Sequence, residues 1–310
     1  MTFNDIDPYL NQFLKSLSLT PGNEAYKFLD SPGLPLRVDK VGEAWVLGWW
    51  ADEPPTSRQK QWVSEVLANH GVDCWYWHWR PGSSKSKNPV LLASGPKEPA
   101  DQWIFCENGV RYHGRRNQGH NYGLFLDQRQ NRKSLGEMVQ GKSVLNLFSF
   151  TCGFSLCAAL GGASEVASVD LSQKYLDWGK DNFMANSLNP ENYSFYGMNA
   201  EKYLVWALKK EKKFDHIICD PPSFSRSKTG FFRIEKDYGR LLSQCWQVLA
   251  PGGVLWFSTN YEGWPVKKWN QKVRELELGK VREVVPVVEK TVAVPPFQQR
   301  MKMFSFQKQS

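Results

Sequence analysis

The chain lacks any apolar run near the eighteen residues that a membrane-spanning helix needs, so no spanning segment is expected. Its first residues, Met1-Thr2-Phe3-Asn4-Asp5, lack the basic region and apolar core of a signal peptide. The six cysteines (Cys74, Cys106, Cys152, Cys157, Cys219 and Cys245) make no C-x-x-C pair. Neither a zinc site nor a disulfide framework is indicated, no metal is expected, and a reduced cytoplasm is the expected location. No G-x-x-x-x-G-K-[ST] loop occurs, which argues against a nucleoside triphosphatase. Internal repeats and low-complexity tracts are also missing.

Net charge is missing from part of the chain. Residues 1–120 carry 13 basic and 13 acidic side chains, which cancel. Residues 121–310 carry 26 and 18, so the whole excess of +8 lies there. A basic half suits a phosphate-rich partner, although a merely solvated basic surface would look the same.

The 310 residues suffice for one large domain or two moderate ones. Residues 1–30 read as an N-terminal helical extension, with Leu10, Phe13, Leu14 and Leu17 on one face of a helix over Asp7 to Leu17. Residues 31–120 read as a small α/β domain. Strands are expected at Leu36-Arg37-Val38 and Ala44 to Trp49, then a helix from Gln59 to His70 stopped by Gly71. A further strand, Cys74 to Arg80, is aromatic. The basic loop Pro81 to Lys87 follows it. Asn108-Gly109 marks a hairpin between Gln102–Cys106 and Val110–His113. Eight tryptophans fall within residues 1–120. They could stack bases, but most suit core or interdomain contacts.

From about Gly141, strands alternate with helices, which implies a parallel sheet over residues 121–310. Strands are expected at Ser143–Phe148, Glu165–Asp170, Tyr193–Met198, Phe214–Asp220 and Gly253–Thr259. Helices are expected at Gln173–Asn186 and Ile234–Leu249. The tail offers strands at Val281–Val288 and Met301–Phe306.

Ligands of open α/β sheets bind at the C-terminal ends of the strands. After the first of these strands comes Phe148-Ser149-Phe150-Thr151-Cys152-Gly153, where small residues would let a cofactor approach the backbone. Asp170, followed by Leu171 and Ser172, ends the second strand, where a carboxylate can accept both ribose hydroxyls of a nucleoside. Ser172 is the expected cap of the next helix. Asn199, beside Ala200, follows the third strand and is placed to meet an adenine amino group.

After the fourth strand the chain reads Asp220-Pro221-Pro222-Ser223-Phe224. Two prolines forbid a helix and hold the preceding residue extended, which leaves a stiff, half-polar ledge. Asp220 and the Pro221 backbone are placed to fix a base, and Phe224 to stack on it. Arg226 and Lys228 follow in a Ser-rich stretch that could hold phosphates or simply be solvated. A cofactor loop and this ledge, in this order, suggest methyl transfer from S-adenosylmethionine (SAM) to a nucleobase.

Three base chemistries compete. Cytosine C5 needs a cysteine thiolate that adds to C6. A ring nitrogen such as guanine N7 attacks directly and needs only orientation and desolvation. Where a nucleophile would face the base, the chain reads Phe257-Ser258-Thr259-Asn260, with no thiol. Adenine N6 chemistry usually places an aromatic directly after the second proline, and here Ser223 intervenes. A non-catalytic RNA-binding protein that retains the fold is the alternative of another class.

At these residues the chain resembles the RlmI/RlmK family of large-subunit ribosomal RNA methyltransferases. Gly123-Leu124-Phe125-Leu126-Asp127-Gln128-Arg129-Gln130-Asn131-Arg132 looks like the family's G-x-F-L-D-Q-R-x-N-R signature. Asp220 to Lys228 looks like its ledge. The segment Val169 to Trp178 is most similar to the RlmK branch, which makes 7-methylguanosine. The RlmI branch carries F-S-C-S at Phe257 to Asn260. The resemblance implies a class I, Rossmann-like methyltransferase with a seven-stranded, mostly parallel sheet behind a small N-terminal α/β domain. It implies SAM as cofactor and large-subunit ribosomal RNA as partner, while the sequence leaves monomer and homodimer equally open. It also implies that Phe125, Gln128 and Arg132 wall the cofactor or the target nucleotide. The PUA domain that opens RlmI-type proteins has no counterpart in residues 1–30. Cys152 stands where the family usually has glycine, and Asn199 where it usually has aspartate.

Overall fold

A computed structural model describes residues 23–30, 35–79, 90–116, 121–227, 230–261, 263–276, 278, 283–284 and 302–308. The expected helix at Asp7 to Leu17 and the loop Pro81 to Lys87 lie outside these residues. The described chain divides into two compact units that change over between Asp127 and Gln128.

The first unit is built on a sheet of β1 (Ala25–Asp30), β2 (Leu36–Val41), β3 (Ala44–Trp49), β4 (Trp75–Trp79) and β5 (Val90–Ser94), in that spatial order. β3 and β4 are parallel, and the other pairs are antiparallel. The parallel pair needs a crossover, which is α1 (Ser57–Asn69). A capping box starts α1: the Gln59 N–H donates to Thr56 Oγ1, and the Thr56 N–H to Gln59 Oε1. Val63 and Leu67 of α1 pack on Trp45, Leu47, Trp49, Trp75 and Trp77. With Trp103, five of the eight N-terminal tryptophans are therefore buried, whereas Trp50 is exposed under the Arg37 guanidinium, 4.2 Å from the ring centre. β6 (Gln102–Glu107) and β7 (Val110–Arg115) form the expected hairpin, with Asn108 and Gly109 both at positive φ.

Two strands depart from the expectation. β1 lies inside the stretch read as a helical extension; its alternation, Ala25 and Phe28 inward around Tyr26 and Lys27, is short and broken by a register shift. β5 was not expected from the sequence, and its exposed Val90 and Leu91 give no two-sided pattern. The first residues of the second expected domain also cluster with the small unit, where the Tyr122 hydroxyl donates to Asp39 Oδ2.

The second unit begins with α2 (Arg129–Met138) and alternates thereafter. The order is β8 (Ser143–Leu147), α3 (Gly153–Leu160), β9 (Glu165–Asp170), α4 (Gln173–Ala185), β10 (Ser194–Gly197), α5 (Ala200–Lys209) and β11 (Phe214–Cys219). A hairpin of β12 (Phe224–Ser227) and β13 (Gly230–Arg233) leads into α6 (Ile234–Val248), β14 (Leu249–Thr259) and α7 (Val266–Arg274). Two short tail strands, β15 (Glu283–Val284) and β16 (Lys302–Gln307), complete it. The sheet order is β10-β9-β8-β11-β14-β16-β15, with β16 antiparallel to both neighbours and the central strands parallel. This is the doubly wound, seven-stranded α/β sheet expected. The core strands are continuous apolar runs because helices cover both faces. Leu145, Leu147, Ile217, Cys219, Leu255 and Phe257 are essentially inaccessible. The order reverses between β8 and β11, so the loops after them diverge and open a crevice at that edge.

Candidate functional site

The loop after β8 is strained in a regular way. Phe148, Phe150 and Cys152 have φ of 56°, 48° and 62°, although none is glycine. Each costs roughly 1–2 kcal/mol, and such strain clusters where a loop is shaped for a ligand. Its N–H groups are largely bonded within the fold: that of Phe150 goes to Asp170 Oδ2 and that of Cys152 to Ser149 O. The loop is held from beneath: the Ser149 N–H donates to Val169 O, and Asn182 Nδ2 to Thr151 O. The side chains of Ser149 and Thr151 are buried, so these two residues shape the loop rather than face the crevice.

Asp170, at the end of β9, closes on this loop. Its Oδ2 accepts the Phe150 N–H at 2.9 Å, and its Oδ1 the Ser172 N–H at 2.8 Å. Burial raises its pKa, opposed by the N–H groups of Ser172, Phe150 and Leu171. A carboxylate has about four acceptor positions in all, so these N–H groups leave capacity for a cofactor hydroxyl. Ser172 sits at the N-cap of α4 but makes no side-chain cap; its backbone N–H is used on Asp170 instead. Leu171 is exposed beside it. The Phe150 ring meets Tyr175 edge-on at 4.6 Å.

Cys152 is fully buried, and the reason lies on α4. A Cβ on Gly179 would stand 2.5 Å from Cys152 Sγ, so the glycine makes room for the thiol. Burial pushes that thiol's pKa to about 12, which leaves it protonated and inert. Asn199 serves as the N-cap of α5, its Oδ1 accepting the Lys202 N–H at 3.1 Å, and Ala200 is buried behind it. The Asn199 amide nitrogen, rather than its oxygen, is then the better-placed group for a ligand.

The ledge after β11 is fixed by a polar chain. Ser258 Oγ donates to Asp220 Oδ1 at 2.6 Å, and Gln128 Nε2 to Asp220 Oδ2 at 3.2 Å. Gln128 Nε2 also reaches Ser258 Oγ at 3.1 Å, while Asn131 Nδ2 donates to Gln128 Oε1 at 2.6 Å. Gln128, Asn131 and Ser258 are all buried, so the carboxylate is oriented by three residues rather than by solvent. Pro221 is buried and Pro222 exposed. Ser223 Oγ donates to Asn260 Oδ1 at 2.8 Å, tying the ledge to the end of β14.

Arg132 is also buried, its guanidinium 5.9 Å from the Phe154 ring centre. Phe125 is half exposed and belongs to the first unit. Phe224 is 54% exposed. Arg226 is described only by its backbone, opposite Phe231 in the hairpin, and Lys228 lies outside the described residues.

One crevice edge thus brings together Phe148 to Gly153, Asp170 and Asp220. Sequence reasoning missed Asn131, Ser258, Asn260 and Phe231. Asn131 and Ser258 lie within the signature and the fifth-strand end, but their signal was a spacing to Asp220 through space, invisible along the chain. A carboxylate with spare acceptor capacity, bonded to a strained loop at the same sheet edge, fits a nucleoside-bearing cofactor.

The thiols speak to the chemistry as well. Burial and the adjacent Cys245 hold the Cys219 thiol well above its ordinary pKa. Thr259, where the RlmI branch has its cysteine, is wholly buried.

The family profile of S-adenosylmethionine-dependent methyltransferases matches residues 79–265. A Neisseria meningitidis protein named ribosomal RNA large subunit methyltransferase K is 32% identical over 272 residues, covering 83% of this chain and 76% of that protein. A Shewanella pealeana protein named ribosomal RNA large subunit methyltransferase K/L is 43% identical over 157 residues. That match covers 50% of this chain but 21% of the longer protein. Among solved structures, a methyltransferase crystallised with S-adenosylhomocysteine superposes with a TM-score of 0.83 at 26% identity, over 97% of this chain and 81% of that one.

Proposed function

The chain belongs to the S-adenosylmethionine-dependent methyltransferases of the RlmI/RlmK kind, and from that premise we propose that it methylates a guanine of large-subunit ribosomal RNA at N7. The observation that carries this reading is the Asp220 ledge, preorganised by Gln128 and Ser258 at the same sheet edge as Asp170. The names of its relatives supply the RNA class.

The cofactor supplies an electrophilic methyl group. Asp170 accepts the ribose hydroxyls, while the backbone of the loop Phe148 to Gly153 lines the cofactor's approach. Asn199 borders the adenine, and Arg132 walls the approach. Asp220 and the Pro221 backbone hold the base by its edge, and Phe224 stacks on its face. Guanine N7 carries no proton, so its lone pair forms the new bond without a general base. Orientation and water exclusion are then the protein's whole contribution, which such an ordered ledge suits. The cytosine C5 route needs a thiolate. The burial of Cys152 and Cys219, and the absence of a thiol from Phe257 to Asn260, support N7 over that route.

The test is mass spectrometry of nucleosides from ribosomal RNA treated with SAM and the protein. The expected product is 7-methylguanosine. Asp220→Ala and Phe224→Ala are expected to lose about tenfold or more in rate. Folded Cys219→Ala and Cys245→Ser variants are expected to keep most of it. Formation of 5-methylcytidine, or a covalent adduct with 5-fluorocytidine RNA, would overturn the reading. Normal SAM binding with no transfer to any RNA would instead leave a non-catalytic binder.

A further inference from the structure

We propose that the outer face of the β12–β13 hairpin is a stacking platform for two consecutive unpaired nucleotides, with Phe231 holding the neighbour of the base that Phe224 holds. The proposal rests on the reading above, that the partner is RNA.

The hairpin has two unlike faces. Its register pairs Phe224 with Arg233 and Arg226 with Phe231. Directly opposed residues share a face and alternate ones switch it, so Phe224, Phe231 and Arg233 stand on one side and Phe232 on the other. Phe232 faces inward: its ring lies 6.1 Å from that of Phe148, and it packs against the core of the unit. The hairpin is thus already anchored by one aromatic, and by the Ile234 N–H donating to Ser223 O at its base.

The outer face needs a different explanation. Phe224 and Phe231 are 54% and 61% exposed, the latter being the most exposed large apolar side chain among the described residues. Their rings are 5.9 Å apart and 28° from parallel. Two large exposed aromatics side by side forgo burial, which makes a binding role the economical reading. They also sit directly after the ledge that is to hold the target base.

Spacing and charge choose the occupant. Successive nucleotides in a duplex strand rise ~3.4 Å. Rings 5.9 Å apart call for bases drawn further apart than that, as in an unpaired strand. The target base must leave its stack anyway to reach the ledge. Stacking on aromatic side chains is how unpaired RNA bases are usually held. The exposed Arg233 on the same face, and the 26 basic against 18 acidic residues from 121 onward, favour a polyanion over a protein partner.

The experiment uses the full chain and a short single-stranded RNA carrying 2-aminopurine, whose fluorescence is quenched on stacking. Phe231→Leu keeps an apolar side chain of similar size, so folding is expected to survive, with unchanged circular dichroism and SAM affinity. It is expected to weaken RNA binding on the order of tenfold and to reduce the quench. The salt slope is expected to stay unchanged, because the variant removes stacking and leaves phosphate neutralisation intact. Phe231→Trp and Phe231→Tyr restore both signals. A duplex of the same sequence is expected to bind without the Phe231 dependence. If Phe231→Leu matches the wild type in affinity and quench, the platform is wrong while RNA methylation stands. If the wild type neither binds nor methylates RNA, the function itself is wrong and the platform falls with it.

Discussion

Asp170 is a carboxylate under tension. Burial raises its pKa, yet three backbone N–H groups favour the ion. A raised folded-state value means that its contribution to stability declines as pH rises through the window above the ordinary carboxylate value of about 4. Cofactor hydroxyls donating to it would favour the charged form further. SAM affinity is therefore expected to fall as pH drops through that window, at higher pH than an ordinary aspartate would require. Asp170→Ala is expected to cost about 2–4 kcal/mol in SAM binding. Asp170→Asn should remove the acid-side dependence. Calorimetry across a pH series checks both, and affinity unchanged by either variant would remove Asp170 from the site.

At the scale of elements, α4 and the loop after β8 are matched to each other. Cys152 occupies the space that Gly179 leaves. Gly179→Ala is expected to destabilise by about 1–3 kcal/mol through overpacking, despite alanine's better helix propensity. Cys152→Gly alone should be nearly neutral and active. It empties a small volume, but it also relieves a left-handed residue at φ 62° that costs roughly 1–2 kcal/mol. Combining the two should recover much of the Gly179→Ala loss, with a coupling of about 0.5–3 kcal/mol. Urea midpoints of the four proteins close the cycle, and additive losses would mean that the two residues do not share the space. This pairing was not legible in the sequence, where Cys152 looked like a mere departure from glycine, because Gly179 compensates for it from another element. The strands of the large sheet from β8 to β11 were legible within a residue, since buried parallel strands are short apolar runs between helices, whereas β14 starts at Leu249, four residues before the expected Gly253. β1 and β5 were not, since edge strands carry half a pattern.

For the whole molecule, charge is the long-range term. The excess carried by residues 121–310 predicts RNA binding that weakens steeply with salt. Replacing Arg226 and Lys228 together is expected to lower RNA affinity and to flatten the salt slope by about one unit for each phosphate left without its cation. SAM affinity should not change. Binding equal to wild type at every salt concentration would make both side chains ordinary solvated residues. The fold class and the three anchor points of the site, Phe148–Gly153, Asp170 and Asp220, could be read from the sequence because each ends a strand. The residues that hold Asp220 in place could not. Gln128 lies 92 positions before it and Ser258 lies 38 after it, and only the order of strands in the sheet brings them together.

Phe148 belongs to the strained loop, and its ring touches Phe232 beneath the hairpin platform. A ligand that settles the loop and one that settles the hairpin therefore act on a shared contact. Thermodynamic linkage then makes their influence reciprocal: whatever factor SAM applies to RNA affinity, RNA applies to SAM affinity. The spent cofactor lacks the transferred methyl and need not apply the same factor. Any difference between the two factors means that methyl transfer itself changes how tightly the protein holds RNA.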